Sequence, residues 1–188
     1  MAKYVIVGGG IIGSSIAREI RRRDLGDVLV LEKERKFGMH ASGRNSGVLH
    51  SGINQKPGSL KAEMCIKGNE MARNFCREYC VPYEECGTLV IARNENEEEN
   101  LGRVYAWGLE ANVPNLRLIS AKELKKREPA TSGVSALFSP TGSIVDSIAF
   151  LQAIVEDAKQ KGVKFATGTN VDNIDEHRIT TTSGNFYY

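Results

Sequence analysis

The sequence predicts an α/β fold: a parallel sheet with crossover helices, interrupted by an inserted segment. Three observations carry this reading. The chain from Lys3 to Glu32 runs strand, glycine turn, helix, strand, acid. A second helix–glycine–strand pattern returns after Asp146. Between the two, roughly from Val81 to Val145, short strands and helices follow one another without that rhythm.

The N-terminal unit is the most informative stretch. Tyr4-Val5-Ile6-Val7 is a short apolar, β-branched run of the kind that forms buried strands. Gly8-Gly9-Gly10-Ile11-Ile12-Gly13 follows at once and fits G-x-G-x-x-G. A helical pattern then runs from about Ile11 to Arg23, with Ile12, Ile16 and Ile20 four apart. Asp27 to Leu31 reads as a second buried strand, and Glu32 stands at its end. Each part suits a dinucleotide. Gly8 permits the tight turn, Gly10 leaves room for a pyrophosphate, and Gly13 lets helix and strand pack closely. The free N–H groups and dipole at the helix N-terminus favour phosphate charge. Glu32, nineteen residues after Gly13, is placed to accept hydrogen bonds from ribose hydroxyls. A glycine turn alone is common and often purely structural. The complete strand–helix–strand–acid context makes this one a dinucleotide site.

Composition narrows the field. Of 188 residues, 41% are apolar and 26% charged, the balance of a globular chain. Lys and Arg number 25 against 23 Asp and Glu, so charge gives no reason to expect a nucleic-acid partner. Arg21-Arg22-Arg23 complements the dipole at a helix C-terminus. The four cysteines, Cys65, Cys76, Cys80 and Cys86, form no C-x-x-C, and no histidine sits at zinc-ligand spacing. No metal site is predicted. Cys76 and Cys80 read as buried thiols, and a reducing, cytoplasmic compartment is expected. The first apolar run is too short for a signal peptide and is broken by glycines. No stretch has transmembrane length, which leaves peripheral membrane association open.

After Glu32 the chain enters a loop of glycine and small polar residues, from Phe37 to Gly47, with Val48 to Ile53 following. Loops of this composition bring backbone N–H groups and hydroxyls to a ligand. Arg44 adds a permanently charged planar donor. Ser59 to Cys80 reads as a long helix capped by Ser59, with Leu60, Met64, Met71, Phe75 and Tyr79 on one face. Met64 and Met71 are expected in the core. Strands are predicted at Thr88–Ala92, Leu116–Ile119 and Val134–Phe138, and a helix from Asn94 to Ala111 whose early glutamates suit its N-terminus. Ser120-Ala121-Lys122-Glu123 looks like a capping box opening a short helix. Ser139 to Ser143 reads as a turn. Ile148 to Lys161 is a helix with Ile148, Leu151, Ile154, Val155 and Ala158 on one face, ended by Gly162. Val163–Ala166 reads as the third parallel strand, and Val171–Ile174 and Ile179–Thr182 as two more.

These residues carry a family resemblance. Gly43-Arg44-Asn45-Ser46-Gly47-Val48-Leu49-His50-Ser51-Gly52-Ile53, then Lys56-Pro57-Gly58-Ser59-Leu60-Lys61-Ala62, resembles FAD-dependent oxidoreductases of the D-amino-acid oxidase superfamily. The L-2-hydroxyglutarate oxidase and dehydrogenase branch is most similar. Cys86-Gly87-Thr88-Leu89-Val90, Arg127-Glu128-Pro129 and Thr141 to Asp146 fall where that branch has similar segments. The resemblance implies a Rossmann-like FAD-binding domain of the glutathione-reductase type, interrupted by the start of an α+β substrate domain. It divides the chain into residues 1–80 with 146–188 for FAD and 81–145 for substrate. It implies FAD and a small 2-hydroxy acid, oxidised to the 2-oxo acid by hydride transfer to flavin N5. Gly8, Gly10 and Gly13 would lie at the pyrophosphate and Glu32 at the ribose. Ser42, Arg44, Asn45, Ser46 and Gly47 would lie along pyrophosphate and ring, and Val171 would offer its backbone to adenine. His50 would lie near the isoalloxazine. Arg44 departs from that branch, which commonly has histidine there. The G-R-N-x-G-x-L-H-S-G form also resembles glycerol-3-phosphate dehydrogenases of the anaerobic type. Family members run to about twice this length, so the chain reads as an N-terminal piece with poor turnover by itself.

Oxidising a secondary alcohol removes a hydride from carbon and a proton from oxygen. An imidazole suits the proton, because its unperturbed pKa of about 6.5 lies near working pH. His50 is the candidate, either as that base or as a hydrogen-bonding group in the flavin loop. His40 is assigned to loop folding, and His177 is expected to be exposed. NAD in place of FAD is the competing cofactor, against which the long loop after Glu32 speaks. The electron acceptor stays open among oxygen, quinone and a protein.

Overall fold

The computed structural model describes residues 3–176 and 178–187; His177 and Tyr188 lie outside them. Its strands are β1 (Tyr4–Val7), β2 (Val28–Glu32), β3 (Val48–Leu49), β4 (Tyr83–Glu84), β5 (Thr88–Ala92), β6 (Arg117–Ser120), β7 (Ser135–Ser139), β8 (Ser143–Val145), β9 (Lys164–Thr167), β10 (Val171–Ile174), β11 (Arg178–Thr181) and β12 (Gly184–Tyr187). Its helices are α1 (Ile11–Arg22), α2 (Leu60–Glu78), α3 (Glu95–Glu110), α4 (Ala121–Arg127) and α5 (Ser147–Gln160). Two compact units emerge, Met1–Ser46 with Asp146–Tyr188, and Gly47–Val145. The division falls at residue 46 rather than 80. Strand β3 pairs with β8, and Asn69 of α2 donates to the carbonyls of Leu49 and Thr141. Residues 47–80 are therefore bound into the second unit.

In the first unit β1, β2 and β9 form a parallel sheet in that order. Tyr4 pairs with Val28 and Leu29 with Lys164. Ala17 of α1 and Ala158 of α5 are fully buried with Val28, Val30 and Val163, and their short side chains let both helices sit close to the sheet. Isoleucine spacing identifies α1, yet Ile12 and Ile16 are 74% and 49% exposed. The buried positions are Ser14 and Ala17. On α5 the predicted face is buried at Leu151, Ile154, Val155 and Ala158, while Ile148 is exposed. Asp146 caps α5 by accepting from the N–H groups of Ile148 and Ala149. A separate antiparallel sheet, β10-β11-β12, completes the unit.

The second unit holds two antiparallel sheets, β5-β7-β6 and β3-β8-β4. Leu89 pairs with Phe138, and Leu118 with Leu137. Leu137, Ala92, Leu101 and Leu116 lie in one core cluster, and Leu124, Ala136 and Phe138 in another. Ser120 caps α4 by accepting from the Glu123 N–H. The Glu123 carboxylate turns instead to Arg117 and Arg127, so only half of the capping box forms. Helix α2 begins after Ser59 as read. Its buried side, however, is Ala62, Asn69 and Cys76, while Met64 and Met71 are exposed rather than in the core. The side that packs is chosen by the Asn69 amide, which satisfies two backbone carbonyls, and apolar periodicity cannot register that. Cys76 is buried and its thiol pKa is pushed up by burial; Cys80 is exposed, against expectation. Among the described residues no helix is long and apolar enough to cross a membrane.

One ionic cluster ties α1 to the C-terminal end of α5. The Asp157 carboxylate, 4% exposed, meets Arg18 at 2.5 Å and Lys161 at 2.7 Å. Removing its charge leaves two cations facing an amide. Asp157→Asn is expected to destabilise the chain by about 3 kcal/mol, read as a lower urea midpoint.

A second prediction concerns acid. Hydrogen bonds from Arg22 and then Arg23 lower the Glu19 carboxylate from 4.5 to about 2. A depressed carboxylate stabilises the fold above its unfolded pKa and loses that contribution as pH falls through its folded one. Wild type should therefore lose a small increment between about pH 4.5 and 2 that Glu19→Gln lacks at every pH. The increment is small because Glu19 is 37% exposed and water screens the pair. Urea midpoints measured across that window check it.

Candidate functional site

The candidate site lies in the first unit, where the parallel strands β1 and β2 end side by side. Open α/β sheets bind ligands at the carboxyl ends of such strands. Gly8 turns the chain with φ +101°, its N–H donating to the Leu31 carbonyl at 2.8 Å. No heavy atom lies within 4 Å of a Cβ built there. The Gly9 N–H donates to Glu32 Oε2 at 2.7 Å. A Cβ on Gly9 would come within 2.7 Å of the Phe37 ring, so the middle glycine is needed for packing, a role the motif does not reveal. Glu32 Oε1 accepts from the Glu34 N–H at 2.9 Å. Glu32 thus holds the turn and the following loop together, and each carboxylate oxygen keeps a further lone pair.

Helix α1 starts without its own cap. Gly10 supplies no side-chain oxygen, and no acid stands in the first turn. The Ile11 N–H donates to Ser42 Oγ at 2.9 Å, so the loop folds back onto the helix start. A Cβ on Gly10 would lie 2.8 Å from that hydroxyl. Gly13 sits where a Cβ would land on the Gly8 carbonyl oxygen. Ser14 Oγ donates to the Gly9 carbonyl at 3.1 Å, another contact unmarked by the motif.

The loop is folded by its own polar groups. The His40 carbonyl accepts from the N–H groups of Gly43 and Arg44, each at 3.0 Å. His40 Nε2 lies 2.8 Å from Glu34 Oε1. The Asn45 amide donates to the carbonyls of Ala41 and Ser42 at 3.1 and 3.0 Å. Arg44, Asn45 and Ser46 are exposed.

A cleft of about 340 Å³ opens at the strand ends. Gly8, Glu32 and Val171 line it, as do Val7, Leu31, Lys33, His40, Thr169 and Asn170. Thr169 is placed there by its N–H, which donates to the Glu32 carbonyl at 2.9 Å. Of the residues expected from sequence, Gly8, Gly10, Gly13, Glu32 and Ser42 gather around the α1 N-terminus, and Glu32 and Val171 share the cleft. Gly47 and His50 belong to the second unit. Gly47, at φ +68°, accepts on its carbonyl from the Val145 N–H and would bring a Cβ within 2.5 Å of the Val145 carbonyl oxygen. That is a structural reason for glycine. His50 is exposed directly after β3. Lys33, His40, Thr169 and Asn170 were missed as cleft residues. The one available signal was that Thr169-Asn170 immediately precedes Val171.

The sequence profile of the family described as "FAD dependent oxidoreductase" (DAO) matches residues 3–187. The chain belongs to that family. It is 39% identical over 172 residues to L-2-hydroxyglutarate dehydrogenase, mitochondrial, of Homo sapiens, a match that covers 91% of this chain and 37% of that protein. It is 35% identical over 187 residues to glycerol 3-phosphate dehydrogenase of Caloramator mitchellensis, covering 96% and 39%. Dithionite-reduced L-alpha-glycerophosphate oxidase of Mycoplasma pneumoniae with FAD bound superposes with TM-score 0.84 at 27% identity, over 96% of this chain and 49% of that one. L-proline dehydrogenase of P. horikoshii has TM-score 0.88 at 23% identity, a likeness of fold. The chain therefore spans about two fifths of the length of the curated relatives it matches.

Family membership makes FAD the cofactor to test against this site. The residues fit. The first turn of α1 carries no acid of its own, open space lies at Gly8, and the Glu32 carboxylate stands beside the cleft.

Two helical glycines give a matched test. Gly13→Ala drives a methyl into the Gly8 carbonyl and should cost about 3 kcal/mol or more. Gly102→Ala on α3, where nothing lies within 4 Å, should gain up to about 1 kcal/mol from helix propensity. Thermal or urea unfolding of the pair reads both signs.

Proposed function

We propose that this chain serves the oxidation of a small 2-hydroxy acid of the L-2-hydroxyglutarate type to the 2-oxo acid. The observation that carries the proposal is the cleft at the ends of β1 and β2, where Glu32, the glycine turn and Val171 meet. The substrate class is supported by the 39% identity to the human L-2-hydroxyglutarate dehydrogenase. When bound, FAD supplies an isoalloxazine whose N5 accepts a hydride.

Each residue has an assigned part. Gly8, Gly10 and Gly13 keep side chains away from the pyrophosphate, and the start of α1 faces its charge. Glu32 accepts from the adenosine ribose while holding the turn, and the Val171 backbone meets adenine. Ser42 is assigned to the pyrophosphate: its oxygen accepts from the Ile11 N–H, and its O–H is left to donate to a phosphate oxygen. Arg44 adds positive charge, and Asn45 keeps the loop in shape. Ser46 and Gly47 continue the same loop. His50 is the candidate acceptor of the alcohol proton. A reducing, cytoplasmic compartment is part of the proposal, supported by four free thiols. The electron acceptor is left as oxygen, a quinone or a protein.

A second reading is supported by the 35% identity to glycerol 3-phosphate dehydrogenase and by Arg44 in the loop. It changes the substrate to glycerol 3-phosphate and leaves the cofactor assignment intact.

The test is the visible spectrum of the purified chain with FAD, followed by anaerobic L-2-hydroxyglutarate. A retained flavin band that bleaches supports the proposal, and a band that stays yellow leaves a cofactor-binding chain that does not oxidise this acid. A band bleached only by glycerol 3-phosphate selects the second reading. Gly10→Val should lose the band, because its side chain displaces Ser42 and fills the pyrophosphate approach. Wild-type flavin content in that variant refutes the placement.

A further inference from the structure

On the face of α2 that the sequence marks as apolar, the fold leaves three large side chains open. Leu60, Met64 and Met71 are 70%, 49% and 71% exposed. Phe75 and Tyr79, stacked at 4.2 Å and half-buried, extend the same stripe. Single exposed apolar side chains are ordinary; a stripe along the length of one helix marks an interaction surface.

The stripe is symmetric about its middle. Leu60 and Met64 lie seven and three positions before Lys67, and Met71 and Phe75 lie three and seven positions after Gly68. We propose that this face docks a second copy of this chain, with the two α2 helices antiparallel about a two-fold axis between Lys67 and Gly68. Leu60 then meets the partner's Phe75, and Met64 meets the partner's Met71. Gly68 has open space around a would-be Cβ and lets the backbones approach at the crossing. Lys67 is paired with Glu63 of the same helix, 2.6 Å away.

Charge and dipole agree with the antiparallel sense. Lys56 and Lys61 stand at the N-terminal end of the stripe and Glu78 at its C-terminal end. Arg77 is already engaged by Glu85 at 2.5 Å. Antiparallel docking sets basic end against acidic end and opposes the helix dipoles favourably. Such an isologous contact closes at two copies. Helix α2 has 19 residues and is about 28 Å long. One helix pair of that length lies at the small end of specific interfaces, so a concentration-dependent dimer follows rather than an obligate one.

The proposal is independent of the cofactor and substrate assignments. It is tested by sedimentation equilibrium of the purified chain from about 5 to 200 µM, the range in which a small interface dissociates. The expected mass rises from 20.6 kDa toward twice that value. Met71→Lys and Gly68→Leu should each weaken association at least about tenfold, with circular dichroism unchanged because both positions are exposed. A chain that stays monomeric throughout overturns the proposal and leaves the face to a further length of polypeptide, such as that by which the relatives exceed this chain. A dimer that survives both substitutions, or assembly beyond two, overturns it as well.

Discussion

The contact that fixes the first unit is the seating of α1 on the turn that precedes it. At Gly13 no side chain fits, because the Gly8 carbonyl occupies its place. That closeness sets how low the helix rides over β1. Ala17 then lies against the sheet with no exposure, beside Ala158 of α5. The same seating keeps the helix start beside the strand ends, where the Ile11 N–H meets Ser42 of the loop. Arg18 and Asp157 tie the helix to α5 beside that contact.

Glu32 links the fold to the chemistry. Two backbone N–H groups, of Gly9 and Glu34, already hold its carboxylate. A group serving only a ligand would be free to reorient and would lose entropy on binding. Here the orientation is fixed by the protein, so a ligand that donates to it meets a carboxylate already ordered. The loop is built on the same plan. Asn45 and the His40 carbonyl are used to shape it, and Arg44 stays exposed.

How much of this could be read from the sequence follows from how local each signal is. The strand–turn–helix–strand–acid unit is contiguous, and it was legible almost to the residue. Glycine needs at positions 8 and 13 were legible for the same reason, while at position 10 the structure adds the Ser42 hydroxyl, which the motif does not mark. Strands β3, β4 and β8 are two or three residues long and show no periodicity, so nothing marked them; they nevertheless move residues 47–80 into the second unit. The buried side of α2 was misread because one asparagine, reaching two distant carbonyls, outweighs two methionines. Lys33 and His40 reach the cleft from the loop, and Thr169 and Asn170 from the segment before β10. Only the fold brings them together, and no spacing rule predicts it.

The division between cofactor and substrate explains why two readings survive. L-2-hydroxyglutarate and glycerol 3-phosphate are both secondary alcohols beside an anionic group. Each loses a hydride from the carbinol carbon and a proton from its oxygen. As proposed, the glycine turn, Glu32 and the loop serve the dinucleotide and are indifferent to which alcohol is oxidised. This accounts for similar identities, 39% and 35%, to relatives with different substrates. Selection between the two must rest on groups that tell a planar carboxylate from a tetrahedral phosphate. Arg44 alone does not discriminate, since a guanidinium fork pairs with either. The residues that decide the substrate must therefore be sought outside the cradle that holds the cofactor.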